Sequence, residues 1–270
     1  MGFDDGLYSG KLLKKNELPD LGAKGPRVYE VMRLMDSRIL YGEEHLRRLE
    51  NSLKFYDADF SLDYSKLYAE LLALIRLSGE AYCNLRLEAT LVAGKLHYTA
   101  YLVPGQYPDE AMRKEGVALK TYEYRRKDPL IKAVDPQYKQ RVADFISANG
   151  IYEALLTHEG VITEGSRSNI FFVRGGQVYS PRDKDILSGI TRRNLVAFLD
   201  EKKIPLIRED IPIGSLNRFE GAFLSGTSIH VLPVRAIDAV VYNPNLPLVR
   251  TIESGFLKQV EDSIKKSPVF

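Results

Sequence analysis

The stretch Ile162-Thr163-Glu164-Gly165-Ser166-Arg167-Ser168-Asn169-Ile170-Phe171-Phe172 sets one carboxylate and a run of small polar groups between two apolar segments. The pattern predicts two short strands with a polar crossing between them, and it is a place where a ligand can be held. A polar loop with a surface carboxylate accounts for it equally well. Working outward, strands are expected over 152–156, 161–163, 170–173 and 178–179, separated by Glu159-Gly160 and Gly175-Gly176 turns. A helix over 191–201 follows, then strands over 204–208, 221–224 and 230–234. An amphipathic helix over 249–264 closes the chain.

Upstream, 29–34 reads as a strand, Met35-Asp36-Ser37-Arg38 as a turn, and 39–41 as a second strand of a hairpin. Helices are expected over 43–56 and 63–78. The second has Tyr64, Leu67, Tyr68, Leu71, Leu72 and Ile75 on one face, Asp63 as its cap and Gly79 as its stop. Residues 85–92 alternate with period two, turn at Ala93-Gly94-Lys95 and return over 96–103. From 105 to 115 the composition shifts to Pro, Gly and charge, and a strand pattern restarts over 117–124. Asp135-Pro136 opens a helix that buries Tyr138, Val142, Phe145 and Ile146 and stops at Gly150. The sum is an α+β chain in two parts: a small unit over 1–117, a linker over 118–124 and a larger strand-rich unit over 125–270.

Composition narrows the function. Among 270 residues, 38 Lys and Arg stand against 36 Asp and Glu, a net charge of +2 with the signs interleaved, so no large positive field exists to attract nucleic acid. The single cysteine, Cys83, forbids an intrachain disulfide and suits a reducing compartment; a cytoplasmic protein is expected. The apolar run 71–75 is far shorter than the roughly 20 residues that span a bilayer, so no membrane segment is expected. Residues 1–15 lack the pattern of a signal peptide, and Gly6 stands where myristoylation after Gly2 needs Ser or Thr. His45, His97, His158 and His230 have no metal-ligand spacing, so no metal is expected. No G-x-S-x-G or G-x-G-x-x-G occurs, and 160–166 has P-loop glycine spacing but puts Ser166 where lysine must stand.

Two segments have the chemistry of a phosphate site. Ser188-Gly189-Ile190-Thr191-Arg192 is a glycine turn running into a helix, which leaves N–H groups and the positive dipole end facing outward. Ser225-Gly226-Thr227-Ser228 closes an apolar strand with small hydroxyl residues. An ordinary helix start without a ligand explains the first segment alone. The pair points further than either.

With these segments in view, the chain resembles the fold type IV pyridoxal-phosphate enzymes, the family of branched-chain and D-amino-acid aminotransferases and 4-amino-4-deoxychorismate lyase. The matching pieces run in the family's order: Val28-Tyr29-Glu30, His45-Leu46-Arg47-Arg48-Leu49, Lys132, Tyr152-Glu153-Ala154-Leu155-Leu156, Thr163-Glu164-Gly165-Ser166, Leu187-Ser188-Gly189-Ile190-Thr191-Arg192 and Leu224-Ser225-Gly226-Thr227. The resemblance implies a small α/β sandwich domain followed by a larger pseudo-barrel domain with flanking helices, pyridoxal 5'-phosphate as cofactor, and a homodimer.

It also implies roles. Lys132 is the Schiff-base lysine, and the apolar run 129–134 suits an amine whose pKa must fall from about 10.4. On residues alone, Lys127 and Lys139 are rivals, and each lysine reads equally as a solvated surface charge. Glu164 contacts the pyridine nitrogen and holds it protonated, which strengthens the ring as an electron sink. Arg48 bridges the phosphate with Ile190, Thr191 and Thr227, although on residues alone it belongs to an Arg47-Arg48 pair on a solvated helix face. Tyr29, Arg33, Arg86, Arg167 and Ser228 line the substrate side, or are ordinary sheet and loop residues. Arg167 stands where relatives often carry a small residue; a guanidinium there either binds a substrate carboxylate or faces solvent. Relatives also place Asn-Tyr soon after the lysine, whereas here the run is Ala133-Val134-Asp135-Pro136-Gln137-Tyr138, so Tyr138 substitutes or the contact is missing. The expected activity is transfer of an amino group between an amino acid and a 2-oxo acid. A lyase releasing pyruvate from 4-amino-4-deoxychorismate on the same scaffold and a non-catalytic cofactor-binding protein are the alternatives.

Overall fold

The computed structural model describes residues 3–126 and 128–268, and the chain divides into two compact units. The first takes the chain up to Gly105, together with 131–134 and the residues from Val260 on; the second holds 106–130 and 135–259.

The first unit contains β1 (Asp5–Tyr8), β2 (Lys11–Lys14), β3 (Val28–Met35), β4 (Arg38–Ile39), α1 (Gly42–Lys54), α2 (Tyr64–Ser78), β5 (Cys83–Val92) and β6 (Lys95–Val103). The strands form an antiparallel sheet in the order β2-β1-β6-β5-β3-β4. Strict alternation along β3 buries Val28, Glu30, Met32 and Leu34 and leaves Tyr29, Val31, Arg33 and Met35 half-buried on the other face. The buried phase packs with Leu46 and Leu49 of α1 and Leu71 and Leu74 of α2. Each such leucine contributes about 1.5–3 kcal/mol by leaving water. Asp63 caps α2 by accepting from the Lys66 N–H, and Gly79 ends it in the left-handed region.

The second unit contains α3 (Glu110–Glu115), β7 (Val117–Glu123), α4 (Pro136–Asn149), β8 (Glu153–His158), β9 (Val161–Gly165), β10 (Asn169–Arg174), β11 (Gln177–Ser180), α5 (Ile190–Glu201), β12 (Leu206–Arg208), β13 (Ile211–Pro212), β14 (Gly221–Gly226), β15 (His230–Ile237), β16 (Val240–Val241) and most of α6 (Pro247–Lys266). Its sheet runs β12-β11-β10-β14-β15-β7-β8-β9-β13, with β16 on β15. The β7/β8 and β11/β12 pairs are parallel, and each is joined by a crossover that contains a helix, α4 and α5 respectively. The core gathers Leu155, Ile162, Ile170, Phe172, Leu224 and Leu232.

Several sequence expectations shift. The segment 118–124, expected as a linker, lies in β7 and its end, hydrogen-bonded along β8. The first fifteen residues, to which no element was assigned, form the β1/β2 hairpin at the sheet edge, with Leu7 opposite Ala100. Four-residue strands are too short for periodicity to register; pairing with β6 decides them. α3 is likewise only six residues long, capped by Asp109. The strand expected over 39–41 ends at Ile39, since Tyr41 has a φ of 55°. Among the described residues no helix is long and apolar enough to cross a membrane, and no three His, Cys, Asp or Glu side chains are grouped to hold a metal.

Candidate active site

Lys132 lies on a short extension of the first sheet. The Tyr29 N–H donates to the Lys132 carbonyl and the Val134 N–H to the Arg27 carbonyl, both at 2.9 Å, and Val28 pairs antiparallel with Ala133. This is possible because β4 covers only Leu34 and Met35, which leaves the start of β3 without a neighbour on that edge. Lys132 Nζ sits 4.7 Å from the centre of the Tyr29 ring, and Arg86 Cζ sits 4.5 Å from the same ring. The apolar setting expected from 129–134 is not what surrounds the amine: Leu130 is 61% exposed and Ala133 is exposed, while a tyrosine ring and charged groups stand beside Lys132. Of the rivals, Lys139 is exposed on α4, and Lys127 lies outside the described residues.

Beneath this face, Arg48 projects from α1 onto Glu30 of β3. Arg48 Nε and Nη2 donate to the two Glu30 oxygens at 2.7 and 2.6 Å, and His45 Nδ1 lies 2.7 Å from Oε2. Burial alone raises the Glu30 carboxyl pKa, but the Arg48 charge and hydrogen bonds, aided by His45, hold it at about 2. Burial pushes the His45 imidazole below its ordinary value. The Arg48 side chain is 10% exposed against 70% for Arg47, so the two adjacent arginines face opposite ways. Arg33 is half-buried, opposite Asn84 and on the same face as Tyr29.

In the second unit, Glu164 is buried on β9. Its Oε1 is 2.8 Å from Arg126 Nε, and its Oε2 accepts from the Leu187 N–H at 3.1 Å. Leu187 leads into Gly189, the residue before α5. Asn169, opposite Ser225 in the β10/β14 register, donates its amide to the Leu187 carbonyl at 3.0 Å. A Cβ on Gly189 would fall 2.4 Å from Asn169 Oδ1, which is why no larger residue fits there. These contacts bring together Glu164, the start of α5 with Ile190 and Thr191, and Ser225 at the end of β14. Arg192, which sequence reasoning gave no role, fixes the helix start: buried, it donates to Ser180 Oγ at 2.7 Å and pairs with Asp183 Oδ1 at 2.6 Å.

Of the other expected positions, Tyr138 stands beside Arg126, whose Cζ is 5.6 Å from its ring centre, and Arg167 turns to Gln106 and Tyr152. The Arg167 guanidinium donates to Gln106 Oε1 at 2.6 Å and the Tyr152 carbonyl at 2.9 Å, on an exposed residue. Tyr138 stacks on Tyr124 with ring centres 4.4 Å apart, and its hydroxyl lies 3.4 Å from the Ser166 carbonyl. Sequence reasoning missed Glu30 as the partner of Arg48, Arg126 as the partner of Glu164, and Glu153. Glu153 is a buried carboxylate that accepts from the Arg167 N–H at 2.5 Å and Ser168 Oγ at 3.0 Å, and burial raises its pKa. A signal for Glu30 was present: an acid in the buried phase of an alternating strand demands a cation. None marks Arg126.

The residues fit a phosphorylated pyridine. α5 begins without a side-chain cap, which leaves its first N–H groups available to an anion. Ser225 Oγ is buried with no hydrogen-bond partner among the described residues.

The model of the amino-transferase class IV family matches residues 27–237. The chain belongs to that family. This class IV amino-transferase chain is 24% identical to the D-alanine aminotransferase of Bacillus licheniformis over 279 residues, covering 97% of the chain and 99% of the relative. It has the fold of a branched-chain amino acid aminotransferase from Thermobaculum terrenum solved in its PLP form, with a TM-score of 0.83 and 20% identity over 97% of the chain and 95% of that structure. A candidate 4-amino-4-deoxychorismate lyase from Legionella pneumophila shares the fold at a TM-score of 0.81 and 19% identity, covering 92% of the chain and 98% of that structure. The α+β, two-domain fold type IV architecture is thus common to the three.

Proposed function

We propose that this protein is a pyridoxal-phosphate-dependent aminotransferase that moves an amino group between an amino acid and a 2-oxo acid, with Lys132 as the reacting amine. The observation that carries the reading is the lysine held on the sheet edge by the 2.9 Å hydrogen bonds on either side of Val28, its Nζ beside the Tyr29 ring. The cofactor, when bound, supplies the electron sink that makes the substrate's α-proton acidic.

The chain's own groups do the rest. Lys132 Nζ would take that proton as general base and give it back two bonds further along, a role that suits a side chain able to swing on a backbone held in place. Glu164 holds the proton at the pyridine nitrogen, and its position is set by Arg126 and the Leu187 N–H. Arg48, the Ile190 and Thr191 N–H groups and Thr227 bind the phosphate. Glu30 keeps the Arg48 fork in one plane for that task. Tyr29, Arg33 and Arg86 line the substrate side, joined in this reading by Ser228 and Arg167. The active form is a cytoplasmic homodimer.

The test is borohydride reduction of the loaded protein with peptide mapping, followed by assay on panels of amino acids and 2-oxo acids. The label is expected on Lys132, and Lys132→Ala is expected to lose activity by a factor on the order of 10³ or more. Label on another lysine overturns the assignment. Pyruvate release from 4-amino-4-deoxychorismate without amino transfer selects the lyase, and label with neither reaction selects a non-catalytic binder.

A further inference from the structure

Glu164 divides its two oxygens between two partners. Oε2 accepts from the Leu187 N–H ahead of α5, and Oε1 lies 2.8 Å from Arg126 Nε. A cleft of about 250 Å³ opens within the second unit, and Arg126 and Glu164 both line it. Leu187, Ile190, Thr191 and Thr227 do not line it, so it reaches the pair by a route separate from the start of α5. Its walls are apolar: Leu156 of β8, Val161 of β9, Pro129 and Pro181. Its rim carries Arg125 and Lys184, both exposed, beside Arg182, which is paired with Asp210 at 2.9 Å. Of the other acids along the cleft, Glu159 has His158 at 3.9 Å and Asp185 is exposed. Setting these pairs aside leaves Arg125 and Lys184 against Asp185, a balance that favours an anion.

We infer that this cleft is a regulatory site for a small carboxylate with an apolar body, which pairs with Arg126 in place of Glu164. Binding rests on the cleft alone; its effect on the cofactor rests on the reading of Glu164 given above. Pockets for drug-sized ligands run from about 300 to 1,000 Å³, so the occupant here is a single ring or a short chain. A guanidinium suits a planar carboxylate, and the apolar walls favour a body that leaves water. A second carboxylate at Arg126 repels Glu164 and competes with it for the same cation. Once Arg126 turns to the ligand, the buried Glu164 carboxylate lacks its cation and takes a proton from solvent. In that form it no longer favours a proton on the ring nitrogen, and the cofactor is held less tightly.

Benzoate is the probe and benzamide its uncharged counterpart, each titrated calorimetrically into the full chain. Benzoate is expected to bind at least about tenfold more tightly than benzamide. Glu164→Gln removes the competing charge and is expected to tighten benzoate by about tenfold, a gain that a merely structural role for Glu164 would not produce. Val161→Phe fills the cleft and leaves every charge in place, and Arg125→Ala combined with Lys184→Ala strips the rim. Both proteins are expected to bind benzoate about tenfold more weakly. Saturating benzoate is expected to weaken pyridoxal-phosphate binding, read by fluorescence, at least about threefold in the wild type and not in Val161→Phe. Wild-type benzoate affinity in a folded Val161→Phe protein and in the rim variant places the probe elsewhere and overturns the inference. So does a Glu164→Gln protein that binds benzoate no more tightly than the wild type. If benzoate responds to every variant as expected while cofactor affinity is unmoved, the pairing of Glu164 with the ring nitrogen falls and the carboxylate site stands.

Discussion

Arg48 grips Glu30 at two points, Nε to Oε1 at 2.7 Å and Nη2 to Oε2 at 2.6 Å, on a carboxylate with no exposure to solvent. Removing one partner of such a pair leaves the other charged and dry, at a cost of about 3–5 kcal/mol. Glu30→Gln is expected to lose stability of that order in urea unfolding. It is also expected to weaken pyridoxal-phosphate binding at least about tenfold in a fluorescence titration, since the fork is no longer held in its plane. Unchanged binding in a folded variant would separate Arg48 from the phosphate.

The same pair predicts acid sensitivity. The Glu30 carboxyl sits at about 2 in the folded chain, below its ordinary value of 4.5, so the folded state favours the ionised form. Its contribution, on the order of a few kcal/mol, is fully present above about pH 4.5 and is lost as pH falls from there towards 2. His45, also lowered, acts in the same direction over its own range, because protonation is easier in the unfolded chain. Urea midpoints measured from pH 7 to pH 3 are expected to fall for the wild type and to fall less for Glu30→Gln.

Arg126→Met is expected to strand Glu164, which is buried and whose Oε1 is paired with Arg126 Nε. Stability at pH 8 should drop by about 3–5 kcal/mol. The deficit should shrink at pH 5, because burial without a cation raises the carboxyl pKa and the protonated form is then tolerated. Equal deficits at both pH values would mean that Arg126 acts by packing rather than by charge.

Gly189→Ala probes the start of α5 without backbone strain, since the Gly189 φ of −61° is open to any residue. Its Cβ meets Asn169 Oδ1, and Asn169 is tethered to the Leu187 carbonyl and cannot simply turn away. A loss of about 1–3 kcal/mol is expected in thermal or urea unfolding. Weaker cofactor binding should accompany it, because the first N–H groups of the helix shift.

Much of this was legible beforehand. The Asp63 and Asp135 caps, the Gly79 and Gly150 stops and the alternation of β3 and β5 carry local signals that packing reinforces, and those elements fall where the residues predict. The β1/β2 hairpin and α3 were not legible, since a four-residue strand or a six-residue helix exists by virtue of its neighbours. At the site, Glu164 and the Gly189–Thr191 turn are marked by local pattern. Arg126 and Asn169 depend on which strands lie side by side, information that spacing does not carry. Lys132 was located by resemblance, while its apolar flanks proved a poor guide: the strand edge it joins, not its sequence neighbours, defines its surroundings.

The four residues Ile131–Val134 complete a sheet whose other strands were all made before Gly105. A cut of the gene at the boundary between Gly105 and Gln106 therefore separates that sheet from its amine. A fragment ending at Gly105 lacks Lys132, and one beginning at Gln106 carries the lysine without the strand that fixes it. During synthesis the amine can dock only after the ribosome has passed well beyond the first unit, and any recombination that exchanges one half of the chain must bring a matching β3 edge with it.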